Sequence, residues 1–568
     1  MLREPSPKIH LLAAALGLLA ATSPALAQAG GKSKQAPAEA GPYETARQRY
    51  DEVMPRKVFA HHVDGRDKLA QSQDPAALEQ LARDYSEVKA YPEHARYTMA
   101  TQIGRNFRED KFLAPLQRLR QKHDDLLDTW LWVEVLGAEI RSSSTDHVVE
   151  IALTAKKTHL RAAAIAALGA EGRGELKQAI VANCVEFPRK AADRMVLLGA
   201  MTGALYNNKD RVNDEDYREA LKAYISLLAK DVKLTKLAKL QMARHLQPIL
   251  NAPAKFTDPE PWLELLKRGE VKKPKDYGTS SKPSFFGIET EGERFVYVLD
   301  MSDSMLKEIS PSARPKGPIT GPRKKPKKKK SMVLNEGDLP WHKIRTRWDL
   351  AREQLRISLS RLSSDKHFSI VWFGTEAGTL NATKGLVKAT KSNVKKAMAE
   401  LDSINSGSGD GEDLLRGKTS LHYGLAVAFG LTKRGVAAEP AYVGAKPLTE
   451  GCDTIFLLSD GAPNWDGFDV SDKDYGEGRV MKDIENGIEA QRTPRVTYHG
   501  PYAAFPTIRG GPARPEHVDC WMLRDVERMN AFRRIRMHCV GLGEANELLL
   551  KCLARLGNGD VFIVGKKK

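Results

Sequence analysis

Phe295-Val296-Tyr297-Val298-Leu299-Asp300-Met301-Ser302-Asp303-Ser304 decides how this chain is read. The run 295–299 is apolar without alternation, the composition of a strand covered on both faces, as in the middle of a parallel sheet. It stops at a carboxylate followed by two hydroxyls in the spacing Asp-x-Ser-x-Ser. Beyond this segment, strands are expected at 368–373, 454–459, 535–542 and 561–564, with a weak hairpin over 379–387. Helices are expected between them. One spans 346–362, with Trp348, Ala351, Leu355, Leu359 and Leu362 on one stripe. Others span 392–401 and 545–556, the last stopped by Gly557, and one is opened by Thr419. This alternation predicts an α/β fold over 285–568: a doubly wound, mainly parallel, Rossmann-like sheet.

Open α/β sheets bind ligands at the carboxyl ends of their strands. The strand at 295–299 delivers Asp300, Ser302 and Ser304 to that edge, and the strand at 454–459 delivers Asp460-Gly461. Thr419 comes to the same edge from Gly417-Lys418-Thr419-Ser420-Leu421. Carboxylates and hydroxyls are hard oxygen donors, which suit Mg2+, Mn2+ or Ca2+ and not zinc or copper. Asp-x-Ser-x-Ser, a later Gly-x-Thr and a distal Asp-Gly together resemble the metal-ion-dependent adhesion site of von Willebrand factor A and integrin I domains. The resemblance covers about 285–564. It implies that Ser302, Ser304 and Thr419 supply hydroxyls, while Asp300 and Asp460 hold the cation directly or through water. It also implies a protein ligand whose exposed Asp or Glu completes the coordination.

One position departs from that pattern: Asp303 stands where the family usually has glycine. It either points away from the site or adds negative charge that weakens attraction for an acidic ligand. Asp410, Glu412 and Asp413 precede Thr419 and read as a solvated loop or as an accessory hold on the cation. The expected function is that of an exported, divalent-metal-dependent protein-binding or adhesion module. Two alternatives belong to other classes: a non-catalytic helical scaffold with a vestigial metal site, and a metal-assisted hydrolase. No catalytic residue is expected, because G-x-S-x-G, H-E-x-x-H and Walker A strings are absent. The nearest histidine, His422, reads as a helix-face residue.

The rest of the chain frames this half. Arg3 and Lys8 precede an apolar run over 11–21, and Ala25-Leu26-Ala27 fits signal-peptidase cleavage. Residues 1–27 are therefore expected to be a signal peptide that sends the protein to the periplasm or outside the cell. Residues 28–49 read as a flexible leader, and 50–270 as an all-α region. Alanine-rich helices such as 159–169, ended by Gly169, fit either HEAT-like pairs or a non-repetitive bundle. A polar linker spans 271–284. Insertions at about 307–343 and 462–515 leave the metal-bearing edge. The first carries Arg323-Lys324-Lys325-Pro326-Lys327-Lys328-Lys329-Lys330, which reads as a solvated loop or as a tether to an anionic surface polymer. The formal charge of +17 over 568 residues favours anionic partners without implying nucleic acid. No stretch reaches the ~20 apolar residues of a membrane span. Five cysteines without C-x-x-C spacing exclude zinc-ribbon and thioredoxin-like readings.

Overall fold

The computed structural model describes residues 41–55, 59–87, 93–142, 144–272, 282–309, 334, 336–404, 415, 417–461 and 521–564. The expected signal peptide (1–27), the expected leader up to residue 40, the basic run 323–330, Asp410, Glu412, Asp413, Cys520 and the expected insertion 462–515 lie outside them. Of two compact units, Met1–Gly41 and Pro42–Lys568, the second holds every element described below.

Its strands are β1 (Ser284–Phe285), β2 (Ile288–Glu289), β3 (Arg294–Asp300), β4 (His367–Phe373), β5 (Ala377–Thr379), β6 (Val387–Lys388), β7 (Leu431–Thr432), β8 (Gly435–Val436), β9 (Thr454–Ser459), β10 (Arg536–Gly541) and β11 (Val561–Ile563). Seven of them form one sheet in the order β11-β10-β9-β3-β4-β5, with β6 also on β4. The pairs among β3, β4, β9, β10 and β11 are all parallel, while β5 and β6 run antiparallel to β4. The unbroken apolar run of β3 follows from this position. Val296 and Val298 enter one core with Leu421, Leu425, Met522 and Leu549, and Phe295, Tyr297 and Leu299 enter another with Trp348, Leu355 and Leu401. Those partners lie on Leu421–Gly430, Trp521–Asn530 and Glu547–Leu556 for the first core, and on Arg347–Ser360 and Lys391–Ser403 for the second, so helices cover both faces. The architecture is mixed α/β with a mostly parallel sheet. The expected hairpin over 379–387 is not one. β5 and β6 each pair with β4, because the turn between them is pinned there: Ser369 Oγ donates to the Thr383 carbonyl at 2.7 Å and Ile370 N to Thr383 Oγ1 at 3.2 Å.

Upstream, helices fill Pro42–Arg268. The first, Pro42–Val53, takes in residues 42–49 of the expected leader, because Ala46 and Tyr50 are buried and the Tyr50 hydroxyl donates to Asp84 at 2.7 Å. Alternate helices are neighbours. Phe59–Gln71, Glu93–Asn106, Thr129–Arg141, Thr158–Ala170, Ala191–Asn207 and Lys236–Ile249 form one layer, while Thr145–Thr154, Leu176–Val185, Glu215–Ser226 and Glu260–Arg268 form a second. Gly169 does not stop its helix as expected. It lies inside Thr158–Ala170, where a Cβ would fall 2.3 Å from that of Ala204, so glycine is there for close helix packing.

The first layer lies directly on the sheet region. Trp130 N donates to the Tyr442 hydroxyl at 3.0 Å, Gln241 Nε2 to the Arg533 carbonyl at 2.8 Å, and Arg534 Nε to the Gly199 carbonyl at 3.1 Å. A Cβ at Gly199 would stand 2.1 Å from the Phe532 carbonyl oxygen. Gly199→Ala is therefore expected to destabilise the chain by ~1–3 kcal/mol, the usual cost of overpacking. Urea unfolding followed by far-UV circular dichroism reads this directly, and an unchanged midpoint would show that the contact yields without cost.

Cys184, Cys452, Cys539 and Cys552 form no disulfide among the described residues, and burial raises the pKa of Cys452 to about 11, as for a small apolar side chain. No helix among the described residues is long and apolar enough to cross a membrane.

Candidate metal centre

β3 and β9 are parallel neighbours, so Asp300, which ends β3, and Asp460, which follows β9, emerge at the same edge of the sheet. Both are fully buried, as is Ser302 at 1% exposure. A chain of hydrogen bonds joins four of the five expected residues, Asp300, Ser302, Ser304 and Asp460. Asp300 Oδ1 accepts from Ser302 N at 3.0 Å, Ser304 Oγ donates to Asp460 Oδ1 at 2.6 Å, and Ser302 Oγ is therefore the donor to Ser304 Oγ at 3.0 Å. The other Asp300 oxygen, Oδ2, accepts from Ser459 Oγ at 2.9 Å and, more weakly, from Asp460 N at 3.5 Å. Burial and then the adjacent Asp460 charge disfavour ionisation of Asp300 and push its pKa up to about 7.

Thr419 arrives on the neighbouring loop and is buried at 4% exposure. It precedes the helix instead of opening it: the helix is Leu421–Gly430, and Ser420 occupies its cap position. That loop is braced from the end of β4, where Ser420 N donates to the Gly374 carbonyl at 2.7 Å and Lys418 N to Thr375 Oγ1 at 3.0 Å. Gly417 has φ +90, and a Cβ there would fall 2.2 Å from Thr375 Oγ1, so the loop needs glycine.

Asp303 has a structural role that neither sequence reading anticipated. Its Oδ1 accepts from Gly417 N at 2.7 Å, and its own N donates to the Gly417 carbonyl at 3.4 Å. It thereby ties the Asp-x-Ser-x-Ser loop to the loop carrying Thr419. Asp303→Gly is expected to loosen Thr419 relative to Ser304. Faster amide exchange over 415–420 would register that loosening, and unchanged exchange would rule it out.

Two further residues bond to the site's carboxylates. Ser459 holds Asp300, as described. Arg347, in the first turn of Arg347–Ser360, is buried at 7% exposure and donates from Nη1 to Asp460 Oδ2 at 2.7 Å. Its Nη2 lies 3.3 Å from Oε2 of Glu544, which Lys307 Nζ also reaches at 3.1 Å. A cation in a helix's first turn opposes the helix dipole, and burying one there as well signals a partner elsewhere in the fold. His422 lies on the helix Leu421–Gly430, as expected, and faces the interior. It is buried at 4% exposure, its Nε2 lies 2.8 Å from Asp525 Oδ2, and its ring meets Trp521 edge-on.

Among the described residues, no group of three or more His, Cys, Asp or Glu side chains could hold a metal ion. The cluster at Asp300 differs in kind, with two carboxylates and several hydroxyls. Its chemistry fits a hard dication: every donor is oxygen, and a carboxylate oxygen bonded once keeps a lone pair for a second partner. Buried negative charge here is only partly offset, and Ser420 Oγ is buried with no hydrogen-bond partner among the described residues. The chain matches no protein-family model and no curated protein.

Proposed function

We propose that this protein is an exported, divalent-cation-dependent binding module whose sheet region is of the von Willebrand factor A type. Asp300, Ser302, Ser304, Thr419 and Asp460 would hold Mg2+, or Mn2+ or Ca2+ in its place. The observation that carries this reading is the continuous oxygen cluster from Asp300 through Ser302 and Ser304 to Asp460, set on the carboxyl ends of two adjacent parallel strands. Hydroxyl-rich coordination neutralises a dication less than carboxylates do, so the ion keeps a field that attracts an Asp or Glu from a partner. The layered helices serve as a binding or spacer surface beside the site, with no catalytic role.

One observation favours a scaffold with a vestigial site: the Arg347 guanidinium already supplies positive charge to Asp460. Capture experiments separate the two readings. Immobilised full-length protein is offered a panel of Asp- and Glu-containing peptides in magnesium or in chelator. The adhesion reading expects peptides held in magnesium and released by chelator, with that fraction lost in Asp460→Ala. Binding that ignores chelator and follows only ionic strength would reflect the net basic charge and refute it.

A further inference from the structure

We infer that Arg347 is a built-in counter-cation for Asp460 that competes with the divalent ion and sets how tightly the site binds it. The inference rests on the metal reading above and deepens it. Asp300 and Asp460 are both fully buried and adjacent, an arrangement that strongly disfavours two uncompensated negative charges. Arg347 answers that charge from outside the Asp-x-Ser-x-Ser, Thr419 and Asp460 segments. Its Nη1 takes Asp460 Oδ2 at 2.7 Å, leaving Ser304 on Oδ1 at 2.6 Å.

The geometry around the guanidinium holds it in that place. Gly543, with φ +54, leaves room for it: a Cβ there would fall 2.2 Å from Arg347 Cζ. Glu544, exposed at 70%, gives Nη2 a second acceptor at 3.3 Å on the solvent side. Thr346 caps the helix and forms a reciprocal capping box with Asp349, which fixes the backbone from which Arg347 projects. The guanidinium therefore sits between a buried acceptor and an exposed one. A cation drawing on Asp460 must overcome both the charge of Arg347 and its hydrogen bond to Oδ2. Arg347 thus keeps the empty site folded and raises the ion concentration needed to fill it.

The consequence has an unusual sign, because removing a buried, ordered side chain should improve binding. The test is calorimetric titration of full-length protein with MgCl2, for wild type, Arg347→Gln and Arg347→Lys. Gln keeps a donor for Asp460 without charge and should bind magnesium at least about tenfold more tightly, since a unit positive charge close to the ion is gone. Lys restores the charge and should return affinity toward that of wild type. Magnesium should also raise the melting temperature of Arg347→Gln more than that of wild type. If Arg347→Gln folds only when millimolar magnesium is present, the assignment is supported; if it stays unfolded there, the assignment is overturned. Folded Arg347→Gln that binds as wild type does, or more weakly, overturns the inference and leaves the metal reading standing. Absence of magnesium binding in wild type and variants alike overturns both.

Discussion

Asp453→Ala is expected to destabilise the whole chain by about 3–5 kcal/mol, the range for breaking a buried ion pair. Asp453 precedes β9, is fully buried, and is one of the points at which the helical region is fastened to the sheet. Its Oδ1 accepts from Arg244 Nη2 at 3.2 Å and from Thr454 Oγ1 at 2.6 Å, and its Oδ2 from Glu293 N and Arg294 N, each at 2.9 Å. Its carbonyl accepts from Arg244 Nη1 and from Arg536 N, each at 3.0 Å. Alanine would leave the Arg244 guanidinium buried beside a cavity and free two backbone donors at the start of β3. Asp453→Asn keeps the volume and some acceptors, so a smaller loss in the same direction is expected. Urea denaturation at neutral pH measures both. A change below about 1 kcal/mol for alanine would mean that the helical layer is not anchored through this residue.

The second large effect is acid sensitivity at the same junction. His245 lies on Lys236–Ile249, buried at 7% exposure, with Nδ1 2.9 Å from the Gln241 carbonyl and its ring edge-on to Tyr206. Burial, reinforced by the charges of Arg534, Arg536 and Arg244 against the opposing Gln241 carbonyl, lowers its pKa from 6.5 to about 3. The folded state therefore refuses a proton that the unfolded chain accepts below 6.5. The stability His245 contributes is complete above that pH and is lost progressively as pH falls toward 3. The loss amounts to about 3 kcal/mol by pH 4. Asp300 works in the opposite direction: its raised pKa gives the folded state the extra proton between its ordinary value near 4 and about 7. Comparison with His245→Gln isolates the histidine. Unfolding midpoints of wild type should drop more steeply than those of the variant between pH 7 and 4. Parallel slopes would show that His245 takes up its proton without disturbing the interface.

What could be read from the residues in advance depended on whether the signal was local. β3, β9 and β10 were legible because a strand buried on both faces must be apolar at consecutive positions, and β9 was anticipated residue for residue. Asp300, Ser302, Ser304 and Asp460 were legible because the ends of parallel strands are forced to one edge of the sheet. Gly169 misled because a glycine after alanines reads equally as a stop or as a close-packing position, and only Ala204 decides between them. Asp303 could not be interpreted without Gly417, over a hundred residues away. Arg347 and Ser459 lacked a sequence pattern that marked a role, although an arginine in a helix's first turn was a weak sign. The fastening of Arg244 to Asp453 was likewise invisible, since contacts across such separations leave no periodicity.

We propose above all that the oxygen cluster on β3 and β9 is a cation site. Its most direct test is calorimetric titration of chelator-stripped, full-length protein with MgCl2 and MnCl2, with Asp300→Asn measured in parallel. Asn keeps the volume but can accept at only one of the two positions where Asp300 accepts, from Ser302 N or from Ser459 Oγ, so circular dichroism establishes that the variant is folded before its binding is read. Saturable binding at a single site in wild type, weakened at least about tenfold in Asp300→Asn, is the expected result. Absence of binding up to millimolar cation, or binding that Asp300→Asn leaves unchanged, would contradict the claim.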